Sequence, residues 1–268
     1  MKMKMQLIIE TVQPVLISVN TGSQNHWETL DYFPGSAIRG VLANHWQKKM
    51  KLGKNAHEDA DFFNLFLSGK LRFLNGNLYK ENQRLQPLPM NIEVEKTKDA
   101  NFRDSFETVR NDKTPAAKYK AMWALPGTGA YKVEKSIFFH TTRKDKRLEG
   151  KAGDGGVFTY SAIERGQQFV SEIIGEENEL LLLKQKLGES FSAWFGRSKT
   201  AQYGQVKLIL ADIHELMIPK RYEKMNLLFP SAALFNNADG FPVTDFEGIL
   251  QSISKETEVP LNMAIVGT

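Results

Sequence analysis

LDYFPGSAIRGVLANHW, residues 30–46, is the stretch from which the fold of this chain can be worked out. The turn formers Pro34 and Gly35 stand directly before a helical pattern, and Ser36 is a preferred N-cap residue. The side chains that recur at helical spacing are Ala37, Ile38, Val41, Leu42 and His45. This pattern predicts a helix over about residues 36–50, with Arg39 and Gly40 in its first turns.

Strand and helix patterns continue on both sides of this helix. Alternating apolar and β-branched residues predict strands over residues 6–17, 70–76, 131–144, 156–162, 167–175 and 205–213. Helical periodicity predicts helices near residues 57–67, 177–189 and 244–255. This order of elements predicts an α+β domain of ferredoxin-like (RRM-type) architecture with insertions.

The patterns also indicate how the chain is divided. We predict one domain over residues 1–215, with a polar, partly irregular insertion over about 75–130. Residues 18–29 read as a polar loop, and residues 131–175 read as hairpins. We expect residues 216–268 to be an extension or the start of a truncated second segment, because the final MAIVGT has a strand pattern that a partner or further residues would complete.

The composition excludes several classes of function. The 268 residues include no cysteine, which rules out disulfides, thiol catalysis and sulfur-ligated zinc. The five histidines form no H-x-x-x-H pair, so we expect no metal and no cofactor. No run of 18 apolar residues and no signal-peptide pattern is present, so we expect a cytoplasmic protein that does not enter membranes.

Two segments are locally basic. Residues 46–54 carry four lysines and no acid, and residues 143–151 carry five basic groups and two acids. Either segment could face a polyanion or could be a solvated helix end or loop, and the sequence leaves both interpretations open.

A second informative stretch is FGRSKTAQYGQV, residues 195–206. Gly196 and Gly204 bracket basic and hydrogen-bonding residues, and Tyr203 offers a ring on which a base could stack. The spacing of a Walker A loop is absent. On composition alone, the stretch is either a phosphate-binding loop or a polar connection into the following strand.

Together the two stretches resemble the RAMP superfamily, the RNA-binding subunits of CRISPR–Cas effector complexes. PGSAIRG (34–40) is similar to the family's turn-and-helix signature, and GRSKTAQYG (196–204) is similar to its glycine-rich loop, about 160 residues later. Residues 65–76 and 156–173 also resemble passages of these subunits.

The resemblance implies roles for individual residues. The helix N-terminus at Ser36 would face a phosphate, Arg39 would reach the RNA, and Gly40 would let a strand or the RNA backbone approach. We therefore predict RNA contacts from Ser36, Arg39, Gly40, Arg143, Lys144, Lys146, Arg147, Gly196, Arg197, Ser198, Lys199, Gln202, Tyr203 and Gly204.

Within the superfamily, the chain is most similar to the single-copy type III-D subunit that caps the 5′ tag of the guide RNA. The resemblance implies two kinds of partner, the guide RNA and other subunits of the complex. No second glycine-rich loop is visible near the end of the chain, so the sequence does not show whether there is a second RAMP half.

Catalysis is the main alternative. RNA cleavage through the 2′-oxygen needs a base and an acid, and the candidates are His26, Asp31 and His140. One alternative is a metal-independent RAMP endoribonuclease that processes guide precursors; another is a backbone subunit that cleaves target RNA through Asp31. No set of catalytic residues stands out at one spacing, so we interpret the chain as non-catalytic. Leu180–Leu183 and Leu187 could pack in the core or meet a neighbouring subunit.

Overall fold

The computed structural model describes only part of the chain. The described residues are 2–19, 25–88, 92–94, 102–104, 123–125, 129–141, 157–198, 202–216, 235–237 and 239–257. The chain divides into two compact units, Met1–Lys220 and Arg221–Thr268. The architecture is mixed α+β, and nearly all of its strand pairs are antiparallel.

The helices and strands follow one another in this order. The strands are β1 (Lys2–Thr11), β2 (Ser18–Val19), β3 (His26–Thr29), β4 (Arg72–Phe73), β5 (Asn77–Lys80), β6 (Gln83–Arg84), β7 (Gln86–Pro87), β8 (Ile92–Val94), β9 (Phe102–Asp104), β10 (Trp123–Leu125), β11 (Gly129–Tyr131), β12 (Lys135–Thr141), β13 (Val157–Ile163), β14 (Gln168–Glu176), β15 (Ser190–Trp194), β16 (Gln205–Glu215), β17 (Phe235–Asn236) and β18 (Pro242–Val243). The helices are α1 (Gly35–Met50), α2 (Ala60–Phe62), α3 (Glu177–Leu187) and α4 (Phe246–Thr257), with a 3₁₀ segment over Gly53–Glu58 and a π-helical turn over Phe63–Leu67.

The largest sheet in the described part of the first unit has seven strands. Its order is β15-β16-β1-β14-β5-β6, and β4 also pairs with β14. Strand β1 is central because it pairs with β16 on one side and β14 on the other. Its alternation gives it an apolar face: Met3, Met5, Leu7 and Ile9 are buried, whereas the residues between them are only half-buried. Helices α1 and α3 cover that face, so the main core lies between the helices and the sheet.

Each covering helix contributes an apolar stripe. Ile38, Leu42 and Trp46 of α1 are buried in this core. On α3, the residues buried in this core are Leu180, Leu183 and Leu187, which confirms that these three leucines pack in the core.

The N-terminus of α1 differs from the sequence prediction. The helix starts at Gly35 with Pro34 as its N-cap, so Ser36 lies inside the first turn and is not the cap. The cap comes from another part of the chain, because the Asn75 side-chain oxygen accepts a hydrogen bond from the Gly35 N–H at 2.9 Å. A Cβ at Gly35 would lie 2.0 Å from the Phe73 carbonyl oxygen, so only glycine allows the helix to start this close to β4.

A second sheet has the order β12-β13-β3-β2, with β13 and β3 parallel. The predicted loop over residues 18–29 therefore contains two strands of this sheet, a short β2 and β3. Strands β12 and β13 form the predicted hairpin, but β14 pairs with β1 and not with β13. The chain changes sheets between β13 and β14, at a turn with Gly166 at φ +82°.

Several other predicted elements have different lengths. The strand predicted over residues 6–17 is β1, which ends at Thr11, and the strand predicted over 70–76 is only the two residues of β4. The helix predicted near 57–67 consists of the 3₁₀, α and π segments described above. Strand β15 was missed because its five residues, SFSAW, are short and contain two serines.

The insertion predicted over about 75–130 begins with two strands of the main sheet, β5 and β6, and the rest of its described residues form small sheets. Strand β7 pairs with β10, which pairs with β11, and β8 pairs with β9. In the second unit, β17 and β18 form a hairpin beside α4, the helix predicted over 244–255. The final MAIVGT lies outside the described residues.

Candidate nucleic-acid interface

The two glycine-containing stretches, far apart in sequence, meet in the structure. Phe33, immediately before the turn into α1, packs edge-to-face on Phe195 with ring centroids 5.0 Å apart. Both rings are fully buried, and Phe33 also contacts Phe169 of β14. The start of α1 and the loop after β15 are therefore anchored side by side by one aromatic cluster.

The glycines of the loop pack against the protein itself. Gly196 and Gly204 have φ values of +73° and +88°. A Cβ at Gly196 would lie 2.0 Å from the Leu16 carbonyl oxygen, and a Cβ at Gly204 would lie 2.3 Å from that of Phe195. These close approaches already explain why both residues are glycines, and phosphate contact at either one stays a prediction.

Two backbone donors of the loop are also used internally. The Arg197 N–H donates to Leu16 O at 3.0 Å, and the Gly204 N–H donates to Pro14 O at 2.8 Å. These bonds fix the loop against the segment that follows β1. Any phosphate contact here would depend mainly on side chains, because these two N–H groups already have partners.

Arg197 is the loop side chain best placed for an anion. It is exposed, and its guanidinium carbon lies 3.9 Å from the centroid of the Trp27 ring in β3. Stacking on the ring holds the guanidinium plane while leaving its edge donors available. Among the described residues, no carboxylate pairs with Arg197.

The neighbours of Arg197 in the loop are placed differently. Ser198 adopts a left-handed conformation with φ +56°, and its hydroxyl donates to the Tyr160 hydroxyl at 3.3 Å. Gln202 is exposed, and Lys199 lies outside the described residues.

Tyr203 lies in a small second hydrophobic cluster with Leu16 and Ala162. It is only 4% exposed and its ring packs on Phe138 and Tyr160, so the predicted stacking of a base on Tyr203 has no exposed ring face in this structure. Its hydroxyl is hydrogen bonded to His140 Nε2 at 2.8 Å. Burial raises the pKa of Tyr203, so its hydroxyl stays protonated at neutral pH.

The predicted residues of α1 share one exposed face. Ser36, Arg39 and Gly40 are all exposed, and their i, i+3 and i+4 spacing places them together. Arg39 makes no hydrogen bond or ion pair with any described residue. A Cβ at Gly40 would have no atom within 4 Å, so no described strand packs against this glycine. The close approach of a strand therefore has no support, and the close approach of RNA stays a prediction.

The three catalytic candidates are not brought together as one set. His26 Nδ1 is hydrogen bonded to Thr159 Oγ1 at 2.7 Å, and the strand register pairs His26 with Thr159 but His140 with Phe158. Because consecutive residues of β13 face opposite sides of the sheet, His26 and His140 project from opposite faces. They cannot serve as base and acid on one phosphate.

Asp31 has a basic partner. Its carboxylate forms an ion pair with the ammonium of Lys135, which also lies 3.6 Å from a carboxylate oxygen of Glu28. Lys135 therefore bridges two acids beside the start of α1.

Sequence reasoning missed Trp27 and Lys135, and it did not assign the aromatic partners of Tyr203. Only Trp27 carried a signal, since a tryptophan is unexpected in a segment read as polar loop. Arg143, Lys144, Lys146 and Arg147 lie outside the described residues. Where the chain is described, no cluster of three or more potential metal ligands occurs, and no helix is long and apolar enough to span a membrane.

Comparison with solved structures gives matches that extend over most of the chain. A subunit of the type III-B Cmr-beta complex bound to cognate target RNA matches with a TM-score of 0.48 and 10% identity, over 77% of this chain and 96% of the other. A chain of a type IV-B CRISPR complex matches with a TM-score of 0.47 and 9% identity, over 83% and 95%. Oligomeric Cmr4 from Pyrococcus furiosus matches with a TM-score of 0.38 and 12% identity, over 78% and 98%.

Comparison of the amino-acid sequence with protein families identifies the family of the chain. No curated protein sequence matches the chain. The family model of the RAMP superfamily matches residues 8–207, which contain both glycine-containing stretches, the end of β1, all of α1 and α3, and the start of β16. The chain therefore belongs to the RAMP superfamily.

Proposed function

We propose that this chain is a non-catalytic subunit that binds the guide RNA in a type III CRISPR effector complex. We further propose that the complex is of type III-D and that the subunit holds the 5′ tag of the guide. The observation that carries the proposal is the Phe33–Phe195 contact, since it joins the two stretches that present exposed Arg39 and Arg197. Family membership supports the same function.

The electrostatics of the two arginines support RNA over a neutral ligand. Neither guanidinium is neutralised by a described carboxylate, and one is held in place by an aromatic ring. Arginine forms bidentate bonds with phosphate oxygens and retains its charge at every accessible pH. Two arginines without a described carboxylate partner, one of them held by an aromatic ring, suit a phosphate backbone.

The order of elements supports a ferredoxin-like arrangement for the first unit. Counting only β1, α1, β5, β14, α3 and β16, the chain runs β-α-β-β-α-β, and the sheet order is fourth-first-third-second. We propose that residues 1–215 are the RNA-binding domain, that 216–268 are an extension of it, and that the protein acts in the cytoplasm.

A metal-independent endoribonuclease is the second candidate function. The hydrogen bond between His140 and Tyr203 favours it, because a histidine with a fixed ring orientation is suited to acid–base catalysis. Burial of Tyr203 and the separation of His26 from His140 across the sheet weigh against it.

One assay separates the two functions. The purified chain is mixed with end-labelled, repeat-containing RNA in EDTA over a series of salt concentrations, and binding and cleavage are measured in the same samples. We expect tight binding whose affinity falls with salt, and intact RNA. Arg39→Ala and Arg197→Ala should each weaken binding.

A discrete cut within the repeat would overturn the non-catalytic proposal. His26→Ala, Asp31→Asn and His140→Ala would then identify the group responsible. Salt-independent binding, or binding unchanged in both arginine variants, would contradict the proposed interface.

A further inference from the structure

The outer edge of the seven-stranded sheet is formed by β15. This strand pairs with β16 on one side and has no described partner on the other. The hydrogen bonds that flank the strand, from Leu210 N to Glu189 O and from Phe195 N to Gly204 O, show which residues bond inward. By the alternation of antiparallel strands, the N–H and C=O groups of Ser190, Ser192 and Trp194 point outward.

This edge lacks the features that usually prevent strand addition. Exposed edge strands in natural proteins commonly carry lysine, proline or a bulge. The sequence of β15, SFSAW, has none of these residues, and its register with β16 is continuous. The outward backbone groups have no partner among the described residues, and Ser190, Ser192 and Trp194 are exposed to another extended chain.

A groove of about 380 Å³ runs beside this edge. Strand β15 forms one wall through Ser192, Ala193 and Trp194, and α1 forms the other through Val41, Asn44, His45 and Lys48. Trp194 is 45% exposed beside the groove, and tryptophan is enriched in protein interfaces. A strand paired with β15 would direct alternate side chains into this groove and towards α1.

The charge of the groove restricts its occupant. Lys48 lines the groove and is exposed, and no carboxylate is among the lining residues. The ring of His45 stacks on that of Phe191, with the ring centroids 4.0 Å apart. Burial lowers the pKa of His45, so the imidazole is neutral at pH 7. Lys48 therefore carries the only full charge among the residues that line the groove. Two copies of this chain paired edge to edge would bring two such lysines near each other, which disfavours self-association.

We propose that β15 is a docking edge for an extended segment of a different protein, which adds as a further strand and carries an acidic residue opposite Lys48. Backbone hydrogen bonds to Ser190, Ser192 and Trp194 provide affinity, and the groove beside α1 selects the side chains. The residues that line this groove are different from Arg39 and Arg197, and the docking does not depend on the chain binding RNA.

Site-specific photo-crosslinking in cells of the source organism tests the proposal. The full chain carries p-benzoylphenylalanine at Asn44 on the groove wall or, as a control, at exposed Gln185 on α3. Crosslinked peptides are identified by mass spectrometry. We expect position 44, but not 185, to link to one protein, within a segment of strand-forming residues that contains an aspartate or glutamate.

Two variants show whether the link depends on the edge. Ser192→Pro removes an outward N–H while leaving the inward bonds to β16 in place, and should lower the yield about tenfold or more. Lys48→Glu should lower the yield several-fold without altering the backbone. Matching thermal unfolding curves establish that both variants are folded.

The other outcomes overturn the proposal. Linkage to RNA would make the groove a nucleic-acid site, and linkage to a second copy would make it a self-association edge. A protein link that persists in both variants would not involve strand addition, and absence of any link from position 44 would leave no partner for the edge.

Discussion

Gly35 and Gly40 lie five positions apart in the first turns of α1, in opposite surroundings. A Cβ at Gly35 would lie 2.0 Å from a backbone oxygen, whereas a Cβ at Gly40 would contact nothing within 4 Å. Gly35 is therefore required by packing, and Gly40 lowers the stability of its own helix without any packing requirement in the described structure.

Substituting alanine at each position should have opposite effects on stability. We expect Gly35→Ala to lower the free energy of unfolding by about 1–3 kcal/mol through overpacking, and Gly40→Ala to raise it by up to about 1 kcal/mol through helix propensity. Equilibrium denaturation with urea measures both. If RNA approaches Gly40 closely, the second variant should be more stable yet bind RNA more weakly; unchanged affinity would remove Gly40 from the interface.

The Arg197–Trp27 pair gives a second prediction at this scale. Arg197→Ala should reduce RNA affinity and lower the slope of log K against log salt by about 0.7, the contribution of one phosphate contact on a single strand. Arg197→Lys should keep the slope but lose part of the affinity, since an ammonium lacks the planar stack on Trp27. Fluorescence anisotropy with labelled RNA measures both quantities.

The matched control for this pair is Lys186→Ala, which removes one exposed positive charge from the last turn of α3. It should leave the affinity and the salt slope nearly unchanged. An equal effect from the control would mean that net charge, and not the oriented guanidinium, determines binding.

At the scale of elements, α3 has one buried face and one exposed face. Leu183 is fully buried between α3 and the sheet, whereas Leu181, two residues earlier, is 50% exposed. We expect Leu183→Ala to cost about 2–5 kcal/mol of unfolding free energy and Leu181→Ala less than about 0.5 kcal/mol. Equilibrium denaturation measures both costs. Equal costs would contradict the orientation of the helix.

Leu181 also addresses the alternative that part of this leucine run meets a neighbouring subunit. If it does, Leu181→Ala should fold normally but copurify with less of the complex. Copurification at the normal level would restrict the leucine run to the core.

The hairpin of β12 and β13 carries a prediction that comes from sequence alone. Replacing Arg143, Lys144, Lys146 and Arg147 with glutamine should weaken RNA binding and flatten its salt dependence, because phosphate contacts release counterions. The same anisotropy titration over a salt series measures this. Unchanged affinity would identify a solvated basic segment with no role in binding.

At the scale of the whole molecule, the described residues of the main core lie in the first unit. Those that are buried extend from Met3 to Leu210. We therefore expect residues 1–220 to fold without the rest of the chain and to unfold cooperatively, within a few degrees of the corresponding transition of the full chain. Differential scanning calorimetry on both chains measures this, and loss of a cooperative transition in the shorter chain would refute the domain proposal.

Elements with local signals could be predicted from the amino-acid sequence. The alternation of β1 and the periodicity of α1 and α3 specify a buried face within a few residues, because strand and helix geometry repeat every two or 3.6 residues. The two glycine-containing stretches were recognised by their resemblance to the motifs of a family, and the chain belongs to that family.

Which of these elements contact one another could be seen only in the tertiary structure. The Asn75 cap on Gly35, the Phe33–Phe195 contact and the Arg197–Trp27 stack join residues that are 40 to 170 positions apart, and no local period encodes such pairs. The same holds for β13 and β14, which are neighbours in the chain but belong to different sheets. These pairings depend on which surfaces exclude water together in the folded molecule, and that is a property of the whole packing and not of any single segment.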